Sequence, residues 1–439
     1  MPGKARGLLV AGFLLLGAGL WAGQASWMPG GDVNLGDMER ALGAAPAPET
    51  STAAGASEVE GLSASGGISG AEKALVESNN LQIGGTLSSE ADQTFLEGST
   101  PDHFTFSNPN AAFLYLDSRL QQDVRVFARA ELFEDPTGLT SSQTYGLPFG
   151  LTGTASPQGL SAPASDNASV SLQELKLMTD FGRKVFLTLG RQKVKYGAAA
   201  FFNPTDFLNA QGNDFFLPAD VRPGVDMLKA QVPVGADNFY LAGLLDGATN
   251  GDRVGAYARA EIAYPGLGDL VGAGETSFSA LARKDAPSKV GFDLSQALLD
   301  LDAYFEGAFF PNPAWGQPNQ SRFLGGYSTG FSYEWRYADR DTNTLNLQAE
   351  FAQAGAAYEY GVLALALPQP GMLKDITFSS TNLYSFMDQS GLSRLDAVYQ
   401  FTPDLSGRIY GQAHWGVVGG VFRQPTQLAE LGARYDVSF

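Results

Sequence analysis

From residue 80 to Phe439, apolar and polar residues alternate with a period of two over runs of about ten residues. Clusters of Gly, Pro, Asp and Asn separate the runs. Successive side chains of a strand point to opposite faces, so each run predicts a strand with one apolar and one polar face. Eighteen strands are expected, over 80–87, 111–120, 122–134, 168–180, 184–193, 225–234, 238–246, 253–264, 270–284, 288–297, 300–310, 322–337, 343–354, 357–367, 373–388, 391–402, 405–417 and 427–439. In 343–354, Asn346, Gln348 and Glu350 oppose Leu345, Leu347, Ala349 and Phe351. In 322–337, Glu334 and Arg336 oppose Trp335 and Tyr337. The runs at 238–246, 357–367 and 373–388 alternate least.

The connections alternate in length as well. Leu120–Gln122, Phe181–Arg183, Gly235–Asp237, Pro265–Asp269, Leu298–Leu299, Ala338–Thr342, Pro368–Leu373 and Pro403–Leu405 read as tight turns rich in Gly, Pro, Asp and Asn. Between them fall long connections such as 88–110, 135–167, 194–224 and 311–321. A soluble sandwich has no reason to segregate loop length by parity. An up-and-down transmembrane barrel does, because one end carries short periplasmic turns and the other long outer loops. The expected fold is therefore all-β: a closed antiparallel transmembrane barrel of 16–18 strands over 80–439.

The N-terminal part reads differently. MPGKAR is a positive lead-in, Gly7 to Leu20 is continuously apolar, and Gly23-Gln24-Ala25 offers small residues for cleavage. This is the pattern of a secretory signal over residues 1–25, too short to favour a bilayer span. Residues 26–79 are rich in Ala, Gly, Ser, Pro and Glu, with eight acids against two bases. Such a stretch cannot bury enough apolar area to offset chain entropy, and it reads as a disordered, flexible, acidic periplasmic leader. Short helices are expected in it near Val33–Leu42 and Gly70–Glu77.

Composition removes several chemistries. Cysteine is absent, so disulfides, thiolate metal sites and thiol catalysis are excluded. The net charge of −18 argues against nucleic acid as a partner, since phosphate contacts need clustered Lys and Arg. Only His103 and His414 exist, and His414, inward by parity beside Gln412 and Tyr410, has no local Ser nucleophile, so neither an enzyme nor a cofactor is expected.

Two stretches carry a resemblance. In LGARYDVSF, residues 431–439, Leu431, Ala433, Tyr435, Val437 and Phe439 share one face. This resembles the C-terminal signature of bacterial outer-membrane β-barrels. The resemblance implies an outer-membrane location, lipid and lipopolysaccharide as surroundings, and recognition of Phe439 by the barrel assembly machinery. Residues 187–209, LTLGRQKVKYGAAAFFNPTDFLN, combine a Gly-Arg-Gln step with an Asn-Pro-Thr-Asp loop. They resemble a segment of alginate-export-like and other porin-like outer-membrane barrels, with Tyr196 where many such chains carry Trp. That resemblance implies a passive or selective channel, and porins are often homotrimers.

The expected function is diffusion of small hydrophilic solutes through a wet lumen. The alternative is an envelope-structural or adhesion barrel acting through its outer loops. By parity, Arg125, Arg129, Glu131, Glu174, Lys176, Lys229, Arg259, Glu261, Asp302, Glu306, Glu334, Arg336 and Glu350 should line the lumen. Phe201, Phe202, Phe207, Phe215 and Phe216 are too many aromatics for one water-exposed loop. One reading folds this loop into the lumen, with Arg191, Lys193 and Asp206 at a constriction. The other packs it on the rim, with an Asp206–Arg191 tie. Arg191 and Lys193 share parity with Val185, Leu187 and Leu189, which places them outside unless a bulge resets the strand.

Overall fold

The computed structural model describes residues 81–96, 104–121, 124–137, 168–208, 224–245, 254–266, 271–284, 286–312, 323–337, 344–354, 358–371, 373–423 and 427–439. The signal and leader segments, His103, Phe215 and Phe216 lie outside these residues.

The described chain is a single antiparallel sheet closed on itself. Its strands are β1 (Leu81–Leu96), β2 (Phe104–Ser107), β3 (Asn110–Gln121), β4 (Val124–Glu134), β5 (Ala168–Phe181), β6 (Val185–Gln192), β7 (Val225–Val234), β8 (Asp237–Leu244), β9 (Gly255–Tyr264) and β10 (Val271–Arg283). They continue as β11 (Lys289–Leu298), β12 (Leu301–Pro311), β13 (Phe323–Arg336), β14 (Thr344–Ala354), β15 (Tyr358–Pro368), β16 (Ile376–Ser385), β17 (Ser390–Thr402), β18 (Leu405–Gly416) and β19 (Gln427–Ser438). β2 and β3 both pair with β1, Phe104–Ser107 against Asp92–Phe95 and Asn110–Ser118 against Leu81–Ser89. They are one barrel strand interrupted at Asn108-Pro109, so the wall has eighteen strands.

From β3 to β19 each strand pairs with the next, and β19 returns to β1 in a register running from Thr86↔Ser438 to Phe95↔Ala429. Two further backbone bonds seal the seam: Gly85 N to Phe439 O and Phe439 N to Gly85 O, each 3.0 Å. Closure leaves no sheet edge along this seam to be satisfied by solvent, which a hydrocarbon surrounding would not supply.

The two faces differ as the alternation predicts. Leu114, Leu132, Leu241, Ile409 and Leu431 are exposed on the outside. Asp117, Glu131, Lys229, Arg259, Glu306 and Glu350 are buried on the inside. Tight turns gather at one end. β7 and β8 meet through Gly235-Ala236, with φ 68° at Gly235, and β11 and β12 through Leu299-Asp300, with φ 55° at Leu299. Both are hairpins whose positive φ matches the twist of the strands.

One expectation is corrected. The first strand does not end at residue 87: β1 runs on to Leu96, paired on both sides, and Phe104–Ser107 is strand as well. Here Ser89 and Gln93 stand among the outward positions, so no apolar face marks the strand in sequence. Backbone pairing holds it instead.

Candidate functional site

β6 carries the chain to the long-loop end and the chain then turns into the barrel. Over 194–208, Val194, Tyr196, Ala199, Ala200, Phe201, Phe202, Thr205, Phe207 and Leu208 are all buried. Two aromatic anchors press the segment on the inner wall. Near its start Tyr196 stacks on Tyr257 of β9, ring centroids 5.3 Å apart, with the Arg259 guanidinium 5.3 Å from its ring centroid. Arg259 is itself fixed by Asp293 at 2.8 and 3.1 Å and by Glu261 at 2.7 Å. At the tip, Phe202 stacks on Tyr360 of β15 at 5.7 Å.

Between the anchors, wall carboxylates hold the backbone. Ala199 N donates to Glu306 Oε2 at 2.9 Å, and Thr205 donates to Oε1 through both its backbone N and Oγ1 at 2.6 Å. Ala200 N and Phe201 N donate to Glu350 Oε2 at 3.1 and 2.9 Å, and Phe202 N donates to Oε1 at 2.6 Å. Tyr304 Oη and Ser328 Oγ complete the Glu350 shell at 2.6 and 2.7 Å. Irregular backbone inside a wall leaves its N–H groups without partners, at about 1–3 kcal/mol for each buried orphan. Charge-assisted bonds to two buried carboxylates answer that cost.

Gly197 makes the bend possible. Its φ is 109°, and a Cβ there would run into the Asn203 side chain and the Glu306 carboxylate. Asn203 starts the turn before Pro204, with Asp206 N donating to its carbonyl at 3.3 Å.

The other predicted positions sort by face. Arg125 is bidentate to Asp117, with Nε–Oδ1 at 2.6 Å. Lys176 meets Glu174 at 3.0 Å and lies over the Phe127 ring. Arg129 lies over Phe113, its guanidinium 5.0 Å from the centroid, and Glu131 accepts from Gln173 Nε2 at 2.5 Å. A register shift between Arg129 and Ala130 lets Gln173 and Glu174 both turn inward. Lys229 is buried on the inner face over Tyr240.

Arg191 is corrected. It pairs across the sheet with Leu175 and Asp226 on the outward face and forms its ion pair with Asp226 at 2.9 Å. Gly190, with φ 118°, does not shift the register, so the strand keeps its parity and Arg191 stays out of the lumen. Lys193 lies just past β6, where its backbone N donates to Glu174 at 3.1 Å, and Asp206 lies within the inward segment. Glu334 and Arg336 lie toward the end of β13. They share the inward parity but pair with each other, about half exposed, at the short-turn mouth.

A cluster absent from the expected list surrounds Tyr410. Its hydroxyl meets Glu90 at 2.8 Å, Glu430 at 2.9 Å and Asp92, and the Arg394 guanidinium lies 3.7 Å from its ring centroid. Glu90 and Asp92 were hidden by the lack of an apolar face in this part of β1.

No family profile and no curated protein sequence matches the chain. Solved structures do match in fold. Pseudomonas aeruginosa OccK9 (OpdG) is 11% identical, covering 83% of this chain and 99% of its own, with a TM-score of 0.52. Acinetobacter baumannii OccAB3 is 12% identical, covering 82% and 99%, with a TM-score of 0.50. The high-pH structure of Pseudomonas putida OprB is 11% identical, covering 84% and 97%, also at 0.50. These structures are outer-membrane porins.

Proposed function

We propose that the protein is an outer-membrane channel for passive diffusion of small hydrophilic solutes. Supporting the reading most directly is the inward segment 194–208, held on the inner wall by Glu306 and Glu350. A barrel of about 16–18 strands leaves an aqueous lumen unless loops narrow it. Here a loop narrows it on the β8–β15 side and leaves the charged wall of β3–β5 and β17–β19 facing the passage.

On this reading the short-turn end faces the periplasm, residues 1–25 are removed after Ala25, and Phe439 serves assembly. Residues 26–79 remain as a periplasmic leader, and a homotrimer is the proposed assembly. The channel itself is tested by single-channel recording of the purified protein in a planar bilayer. Discrete conductance steps are expected; a protein that inserts and gives none overturns the proposal. Deleting Ala198–Phe216 should raise the unit conductance, and an unchanged value would mean that the segment does not limit flow.

A further inference from the structure

The connection after β18 makes a second inward excursion, over residues 420–423. Phe422 is fully buried and packs edge-on against Tyr360, ring centroids 5.8 Å apart and planes at 77°. Tyr360 is also the ring on which Phe202, the tip of the constriction, stacks. Ala200, Phe201, Phe202, Tyr360 and Phe422 belong to one buried apolar cluster with Leu383 and Leu392 of the wall.

Separate polar contacts hold the second segment. Val421 N donates to Asp388 Oδ2 at 2.8 Å, and Phe422 N donates to Ser390 Oγ at 3.0 Å. Ser390 Oγ in turn donates to Asp388 Oδ1 at 2.6 Å. His414 Nδ1 lies 2.8 Å from the Phe422 carbonyl, the spacing of an N–H donating to it. Asp388 sits in the turn between β16 and β17. Burial alone would raise its pKa, but hydrogen bonds from Ser390, Val421 and Ser385 hold it below the usual carboxylate value. Asp388 is thus an ionised acceptor at neutral pH.

We infer that Phe422, acting through Tyr360, is a positioning residue for the constriction, and that segment 420–423 is a latch holding the tip against the wall. The inference rests on the channel reading. Glu350 fixes the tip's backbone, the Phe202 ring packs on Tyr360, and Tyr360 lies between two loop rings. Removing Phe422 opens space beside Tyr360 and loosens the surface on which Phe202 rests.

Single-channel recording of the full-length protein tests it. Phe422→Ala is expected to turn quiet open levels into flickering ones, with about a twofold or greater rise in open-channel current variance. Phe422→Leu should restore most of the quiet behaviour. Asp388→Asn, which leaves every ring in place, should give a smaller rise, and it carries the test if the alanine variant fails to assemble. A conducting wild type whose Phe422→Ala and Asp388→Asn variants lose thermal stability yet stay equally quiet overturns this inference alone. A wild type without conductance overturns the channel reading and the inference together.

Discussion

Glu350 accepts five hydrogen bonds, three from consecutive backbone N–H groups and two from Tyr304 and Ser328. Truncation to alanine strands those donors, at about 1–3 kcal/mol for each that lumen water cannot reach. Glu350→Ala should therefore release the tip, seen as a higher and noisier unit conductance, while Glu350→Gln, which keeps an acceptor oxygen, should fall between it and the wild type. Gly197→Ala should cost about 1–2 kcal/mol from its left-handed φ alone, with the clash against Glu306 added, and should shift conductance without preventing assembly. Arg129 is a third test. One charge about 8 Å from an ion's path changes the local ion concentration roughly twofold in water, less as salt screens it. Arg129→Glu should move the zero-current potential under a salt gradient toward greater cation preference, and should do so most at low salt.

At the level of strands, most of the wall was legible because one face had to be apolar. β13 and β14 alternate cleanly and fall where the pattern puts them. The far half of β1 was illegible because its outward positions include Ser89 and Gln93, and backbone pairing leaves no trace in residue type. The same limit applies to the site. The inward faces of Glu306 and Glu350 followed from parity, but the main-chain groups they hold stand some 101 to 150 positions away, which no periodicity reveals. Arg191 shows the reverse: its parity placed it outside, and its charge and the adjacent loop suggested the pore, but the parity was right. The β1–β19 seam gives the prediction at this scale. A Cβ at Gly85 would meet the Phe113 carbonyl at 2.5 Å and the Phe439 ring at 2.9 Å. Gly85→Val should weaken closure, so that the folded band on a denaturing gel converts to the unfolded band at a lower temperature.

Across the whole molecule, the lumen charges are largely satisfied by one another: Arg125 by Asp117, Lys176 by Glu174, Arg259 by Glu261 and Asp293, and Arg394 by Asp396. Paired charges present dipoles rather than a field of one sign, so the wild-type channel should discriminate weakly between small anions and cations despite a net charge of −18. A reversal potential close to zero under a salt gradient would agree with that, and a strongly selective one would not.

The wall supplies acceptors and the narrowing segment answers mainly with its main chain. The bonds from Ala200, Phe201 and Phe202 to Glu350 would form whichever residues other than proline stood at those positions. That main-chain part of the attachment is blind to side-chain identity, whereas the ring contacts of Tyr196 and Phe202 are not. Replacing Phe202 would therefore loosen the ring contact with Tyr360 and leave the backbone bonds to Glu350 in place.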